Sequence, residues 1–497
     1  MNTKSVLVVG SGLSGSIAAL KAAQEGLFVT LVKGDSNGAS SWAQGGIVKP
    51  TADDADDFKR DIFESGCAIN NSKAVDAITS DGEALIQKWL VESAGIEFDP
   101  DLALEAAHSK ARILHVKDHT GLNIMKHLDA LVLSNPKIKV LEGMLVDFML
   151  SNRHDQRQSS VYKAGKCVGA YIFNQQSRHV DAVTADATIL ATGGFSALYE
   201  HSTGPRSLTG NGIAAAHRAG ARTLHLEYVQ FHPTALYIEN DRRYLLSEAL
   251  RGAGAKLLNS KKKSFVDELA PRDVVARAIH KELIESNASH VWLDCRNMPD
   301  LDSHFPSLFE VMKSKKLDPR EDLIPVVPAA HYTLGGVWTD ANGGTSLPGL
   351  FAAGEVACTG LHGANRLAST SLLEALVFGD RAGGTAADYA QKGELMNFEA
   401  QEWIHGKEAV DPALLQQDWQ LLRKTMWNYV GLARNKARLK RAERILSDLR
   451  NDVEEFYSRG QLCESLIGLR QAVLVSTMVL YSALKNEKSL GTHFRED

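Results

Sequence analysis

Residues 5–15, Ser-Val-Leu-Val-Val-Gly-Ser-Gly-Leu-Ser-Gly, decide the fold. Ser5 to Val9 is an apolar run of strand length, and Gly10 to Gly15 is a glycine turn. Residues 17–24 follow with a helical pattern that Gly26 ends, and Phe28 to Val32 is a second apolar run. Two strands joined through a helix predict a parallel pair with a right-handed crossover. Gly10, Gly12 and Gly15 stand in that context with the spacing G-x-G-x-x-G, with Ser11, Leu13 and Ser14 between them. Gly10 permits the tight turn, Gly12 lets a pyrophosphate approach the backbone, and Gly15 packs helix against strand. The helix N-terminus adds unpaired N–H groups and a positive dipole end, so the unit reads as a dinucleotide site. An acidic residue usually ends the second strand of an NAD site; Lys33 stands here, with Asp35 two further on, and that ribose contact is not supported.

Three later segments suit a longer cofactor. Ser40-Ser41-Trp42-Ala43-Gln44-Gly45-Gly46 follows the unit, Ala191-Thr192-Gly193-Gly194 closes a later strand, and Gly354-Glu355 closes another. Glycines at strand ends let backbone lie against a flat ring or polyol, and a carboxylate such as Glu355 accepts hydrogen bonds from ribityl or ribose hydroxyls. Singly, each glycine pair is a turn; as a set they point to FAD.

The remainder of the 497 residues is ordinary in composition, 44% hydrophobic and 23% charged, which argues against disordered, fibrous and membrane-embedded classes. A net charge of −5 leaves no general basic surface for nucleic acid or anionic lipid. Cys67, Cys167, Cys295, Cys358 and Cys463 form no CxxC pair and are odd in number, so neither a disulfide framework nor a metal site is expected and a reducing cytoplasm fits. No signal-peptide pattern opens the chain, and the longest apolar stretch, Gln471 to Leu484, is short for a bilayer span and reads as a buried helix.

Residues 139–190 read as a small antiparallel insertion of short strands, Cys167 to Phe173 and Ala187 to Leu190 among them. Residues 226–332 read as a separate cap, with a helix over residues 273–286 and a proline-containing loop at residues 325–328. A strand at Leu350 returns the chain to its first domain, and beyond about residue 400 the sequence is helical and charged. There Leu432, Leu439 and Leu446 repeat every seven residues among Arg434, Lys436, Arg438, Lys440, Arg441 and Arg444, which predicts a helix pair with a solvated basic face.

Ser40 to Gly46, Gln230-Phe231-His232-Pro233-Thr234, Glu268-Leu269-Ala270-Pro271-Arg272-Asp273, His331-Tyr332-Thr333-Leu334-Gly335-Gly336 and Gly360-Leu361-His362-Gly363-Ala364-Asn365-Arg366 together resemble the L-aspartate oxidases. That family lies within the succinate dehydrogenase and fumarate reductase flavoproteins, and the resemblance runs from the first glycine motif to Met426-Trp427 and His493-Phe494. It implies an α/β fold: a Rossmann-type FAD-binding domain (1–225 and 333–400) interrupted by an α+β capping domain (226–332) and followed by a helical C-terminal domain (401–497). It implies oxidation of L-aspartate to iminoaspartate for quinolinate and NAD synthesis, with the flavin reoxidised by oxygen or fumarate. A transient contact with quinolinate synthase would suit a product that hydrolyses readily. By motif, His232, His331 and Arg366 match residues that bind the substrate carboxylates, with Ser247 assisting. Arg272 matches the arginine that exchanges a proton in the fumarate direction, Glu248 and Arg251 match its relay, and Glu105 matches the carboxylate that meets the aspartate ammonium. The glycine turn, Lys33, Ser40 to Gly46, Thr192, Gly193, Asn211, Glu355, Ser371 and Leu372 fall on FAD positions. Ala39 stands where membrane-complex flavoproteins carry a covalently linked histidine, which implies non-covalent FAD and lowers a membrane-complex reading; a soluble fumarate reductase is the nearest alternative.

The residue chemistry agrees. Three arginines and two histidines in a chain of acidic balance suit a small dianion, and a planar guanidinium matches a carboxylate with two parallel hydrogen bonds. Clamping both carboxylates would fix the reacting carbon against the flavin. Duller roles compete: His108, His115 and His362 read as hydrogen-bonded structural residues, Arg251 could simply pair with Glu248, and Glu105 could be a solvated carboxylate. Four features depart from the family pattern: Ala106-Ala107 replace two glycines, Asn211 replaces an aspartate, the stretch Ser264 to Asp267 is short, and the chain stops soon after His493.

Overall fold

The computed structural model describes residues 4–34, 38–298, 301–394 and 397–497; Asp35 lies outside them. Its central sheet has the strand order Leu350–Ala352, Ala187–Leu190, Ser5–Val9, Phe28–Lys33, Ile138–Glu142, and every neighbouring pair is parallel. The strands read as continuous apolar runs because both faces are covered. Helix Leu13–Gln24 packs against the long helix Thr370–Lys392 so closely that a methyl at Gly379 would lie 2.8 Å from the Ser14 carbonyl oxygen, and one at Gly383 2.7 Å from that of Ala18.

The expected antiparallel insertion is smaller than residues 139–190. Only Met144–Leu150, Cys167–Asn174 and His179–Thr184 form it, while Ile138–Glu142 and Ala187–Leu190 are strands of the parallel sheet. Short apolar runs carry no sign of strand direction, so the sequence does not distinguish these flanking strands from the antiparallel ones between them.

A second sheet, in the order Tyr244–Leu245, Val229–Leu236, Ile324–Thr333, Val291–Asp294, Lys256–Leu258, is antiparallel throughout. Helix Arg272–Ser286 packs on it, one residue longer at its start than expected. The proline loop expected at residues 325–328 is instead part of the ten-residue strand Ile324–Thr333. Its pairing with Val229–Leu236 shifts register between His232 and Ala235, opposite Ala329 and Val327, so Pro233 and Pro328 both sit in the irregularity where no ladder N–H is required.

The C-terminal part has three helices, not a pair: Pro412–Val430, Lys436–Arg459 and Glu464–Lys485. Asp411 and Asn435 cap the first two by accepting from the N–H groups of Ala413 and Arg438. Leu439 and Leu446 face the core as the heptad spacing requires, but Leu432 precedes its helix and Arg434 is no part of a solvated face. Arg434 is fully buried and donates to the carbonyls of Glu227 (2.8 Å) and Val430 (3.0 Å), tying the C-terminal helices to the start of the cap. Helix Glu464–Lys485 is long and apolar enough to cross a membrane, yet 67% of its most apolar window is buried inside the protein, as a core helix would be.

Candidate active site

One cavity of about 1240 Å³ runs between the parallel sheet, the cap and the C-terminal helices, with walls from Val9 to Gly468. It exceeds the roughly 300–1,000 Å³ of ordinary small-molecule sites, as a dinucleotide with a substrate beside it requires. At one end lies the glycine turn. Gly10 has φ +111°, and a methyl there would stand 2.2 Å from the Ala191 carbonyl oxygen; one on Gly15 would stand 1.9 Å from that of Gly10. Ser40 Oγ accepts from Leu13 N (3.1 Å), taking one of the free N–H groups of the helix.

Gly10, Ser11, Gly12, Ser14, Ser40, Ala43, Gln44, Gly45, Gly46, Thr192, Gly193, Asn211, Glu355, Ser371 and Leu372 all line the cavity. Four expected residues do not. Leu13 is buried behind the turn, Gly15 serves the helix–strand packing, Lys33 pairs with Asp129 at 3.3 Å, and Ser41 sits in a turn whose N–H reaches Gly38 O (3.1 Å). Motif position gives proximity to a cofactor but not the side toward which a residue points.

Glu105, His232, Ser247, Glu248, Arg251, Arg272, His331 and Arg366 line the same cavity. His232 comes from the strand Val229–Leu236 and His331 from its neighbour Ile324–Thr333; their ring centroids are 5.8 Å apart. His232 Nε2 lies 2.8 Å from Leu246 O and must donate there, which leaves Nδ1 an acceptor. Thr203 Oγ1 is 2.9 Å from His331 Nδ1. Burial, reinforced by nearby arginines, holds both imidazoles well below their ordinary pKa, so both are neutral.

Arg366 is buried, donates Nε to Gln230 Oε1 (3.1 Å) and stacks its guanidinium 4.8 Å from the Tyr332 ring centre. Burial and the charge of Arg272 pull its pKa down to about 10, and no carboxylate among the described residues pairs with it. Such a cation is matched only when an anion enters. Arg272, at the start of helix Arg272–Ser286, and Arg251 both pair with Glu248: Arg272 through Nε to Oε2, Arg251 through Nη2 at 3.1 Å from Oε1. Arg251 is almost wholly buried, donates Nη1 to Glu268 O (2.7 Å), and keeps an Nε without a hydrogen-bond partner among the described residues. The three groups form one continuous line. Glu105 Oε2 accepts from Ser369 Oγ (2.8 Å), and a methyl on Gly45 would stand 2.8 Å from Glu105 Oε1, so this carboxylate lies on the glycine loop. Beside it Ala107 adopts φ +66°, the left-handed conformation for which a glycine would be better suited.

The histidines read as structural each have a polar partner. His108 bridges Ala368 O (2.9 Å) and Arg112 (2.9 Å), His115 lies 3.0 Å from Asp99, and His362 lies 2.9 Å from Glu374. Gln230, Tyr332 and Ser369 were missed as site residues, although the first two stand inside quoted motifs. Strand alternation was the available signal, because Gln230 and His232, two apart, share a face.

The cavity suits FAD on its own geometry: glycines where backbone must come close, a helix N-terminus for a diphosphate, and Glu355, whose Oε1 accepts from Thr333 N and Oγ1 at 3.0 Å each, on the wall. Comparison with known proteins agrees. Residues 5–372 match an FAD binding domain model and residues 419–497 match a fumarate reductase flavoprotein C-terminal model. The chain is 37% identical to the L-aspartate oxidase of Yersinia pestis, over 99% of this chain and 95% of that one. It is 40% identical to the L-aspartate oxidase of Halobacterium salinarum, over 100% and 97%. Among solved structures it resembles a mutant quinol fumarate reductase of E. coli with a TM-score of 0.85 at 25% identity, covering 100% of this chain and 92% of that one.

Proposed function

Because the chain belongs to the L-aspartate oxidase family, we propose that His232, Ser247, His331 and Arg366 clamp the two carboxylates of L-aspartate, with Glu105 receiving its ammonium group. The enzyme is FAD-dependent and oxidises L-aspartate to iminoaspartate in NAD biosynthesis, within the succinate dehydrogenase and fumarate reductase flavoproteins. The substrate loses a hydride from Cα and a proton from nitrogen; FAD, when bound, supplies the hydride acceptor.

The observation that carries the residue assignment is the convergence of Arg251, Arg272 and Arg366 with two neutral imidazoles on one cavity, where Arg251 and Arg272 share the single carboxylate of Glu248 and Arg366 pairs with none among the described residues. A dianion completes that balance. The guanidinium of Arg366, fixed by Gln230 and Tyr332, is pre-oriented to give two parallel hydrogen bonds to one carboxylate. The neutral imidazoles add no charge: His331, with Nδ1 on Thr203, donates from Nε2, whereas His232 keeps its N–H on Leu246 O and packs beside it. The line Arg272, Glu248, Arg251 can carry a proton between the substrate and the interior of the cap. Arg272 would deliver that proton to carbon when fumarate is the acceptor; oxygen is the other acceptor in this reading.

The remaining parts of the reading are proposals of the same kind. FAD is held non-covalently, since Ala39 offers no linking side chain. The domains divide at 1–225, 226–332, 333–400 and 401–497, supported by the return of Leu350–Ala352 to the first sheet. The setting is the cytoplasm, which suits five unpaired cysteines, and iminoaspartate passes to quinolinate synthase by transient contact.

Anaerobic mixing of the holoenzyme with L-aspartate, and separately with succinate, tests the reading through the oxidised flavin absorbance. Rapid bleaching by L-aspartate alone is expected, and Arg272→Leu should retain FAD while losing fumarate-supported turnover. Glu105→Gln should erode the preference for aspartate over succinate. Bleaching by neither substrate, with fumarate reoxidising the reduced flavin, would assign the chain to fumarate reduction instead.

A further inference from the structure

The C-terminal helices also line the cavity, through Trp419, Arg423, Glu464, Ser465 and Gly468. Gly143 N donates to Lys33 O (2.9 Å), which sets Met144 beside the end of the second strand, where the adenylate half of a cofactor on the glycine turn would lie. Opposite is Gly468, where a methyl would stand 3.6 Å from Met144 Cε and 3.4 Å from the Trp419 ring. Arg423, one turn beyond Trp419 on helix Pro412–Val430, stacks 4.6 Å from that ring and donates Nε to Ala197 O (3.2 Å). Arg206 lines the same stretch of wall from the loop that leads to Asn211. Neither arginine pairs with a carboxylate among the described residues, and Arg206 is exposed without a bonded partner there. Burial and the neighbouring charge of Arg206 pull the Arg423 guanidinium down to about 10. Two cations with no ion-pair partner among the described residues, on a stretch of wall whose carboxylate is Glu464, exceed its charge and mark where further negative charge belongs.

We infer that Arg423 and Arg206 bind the anionic adenosine-diphosphate half of FAD, which makes the C-terminal helices part of the cofactor site. This rests on FAD as the cofactor, and it is separable from the substrate assignment because its readout is affinity. Asn211, standing where an aspartate is usual, removes a negative charge from the same loop and leaves the diphosphate to answer both cations.

Dissociation of FAD from the holoenzyme, followed by flavin fluorescence, tests the inference, with FMN as a second probe that lacks the adenylate. Arg423→Gln should weaken FAD binding about ten-fold or more, the scale of one lost charge-assisted hydrogen bond, and leave FMN affinity unchanged. Arg423→Lys should recover part of the loss. Because Arg423 also holds Ala197, Arg206→Gln provides a variant with no structural bond to lose, and it should weaken FAD several-fold. FAD affinity unchanged in both Gln variants would overturn the inference, as would equal weakening of FAD and FMN.

Discussion

Glu355 is the residue whose charge should respond most visibly to pH. Burial pushes its carboxyl up to about 7, against the two hydrogen bonds from Thr333 that favour the ionised form. Between the ordinary carboxyl range and about 7, the folded apoprotein keeps a proton that the unfolded chain has released. Its contribution to stability is therefore present at low pH and falls as pH rises through that window. The advantage of the wild-type apoprotein over Glu355→Gln in unfolding temperature should shrink between about pH 4.5 and 7 and then level off; a flat difference across that range would refute it. Legibility at this scale depended on chemistry being rare. Arg272, Arg366 and His331 stood out because they lie in the long motifs that carry the family resemblance. Gln230 and Tyr332 did not, because a buried amide or phenol is common and only the fold reveals which guanidinium it holds. Lys33 shows what motif position leaves open, since its side chain pairs with Asp129 while its neighbours Val32 and Gly34 line the cavity.

Among the elements, the C-terminal tail does more than end the last helix. Thr492 donates through N (3.0 Å) and Oγ1 (3.1 Å) to Ala364 O, two residues before Arg366, and His493 is clasped between Arg434 (2.6 Å) and Asn486 O (2.9 Å). The tail is a strap behind Arg366. Thr492→Val keeps the N–H and the side-chain shape but loses the hydroxyl, a hydrogen bond worth about 1 kcal/mol. The expected result is a KM for L-aspartate raised about five-fold with little change in kcat, read by steady-state kinetics; an unaltered KM would place the strap outside substrate binding. The elements that differ from the sequence expectation do so for two physical reasons. Pro325 and Pro328 argued for a loop because proline usually breaks a ladder, yet here a register shift absorbs Pro328. Residues 138–142 and 187–190 were read as antiparallel because their partners, Phe28–Lys33 and Ser5–Val9, lie more than a hundred residues away. The local βαβ unit needed no such distant partner, and it formed as its spacing demands.

For the whole molecule, Arg251, Arg272 and Arg366 meet in one cavity inside a chain whose net charge is −5, and the proposed substrate is a dianion. A dicarboxylate that binds the folded state alone must therefore stabilise it, by about 2.7 kcal/mol at a hundred times its Kd. The holoenzyme should unfold several degrees higher with saturating succinate than with a monocarboxylate at equal ionic strength, and Arg366→Leu should abolish the difference; equal unfolding temperatures for the wild type would contradict the dianion site. The walls of that cavity run from Val9 in the first strand to Gly468 in the last helix. During synthesis, the glycine turn leaves the ribosome hundreds of residues ahead of Trp419 and Gly468. The chamber can close only after nearly all of the chain has emerged, so cofactor capture is a late event in the life of this polypeptide, and flavin supply would govern how many finished chains mature rather than how many are made.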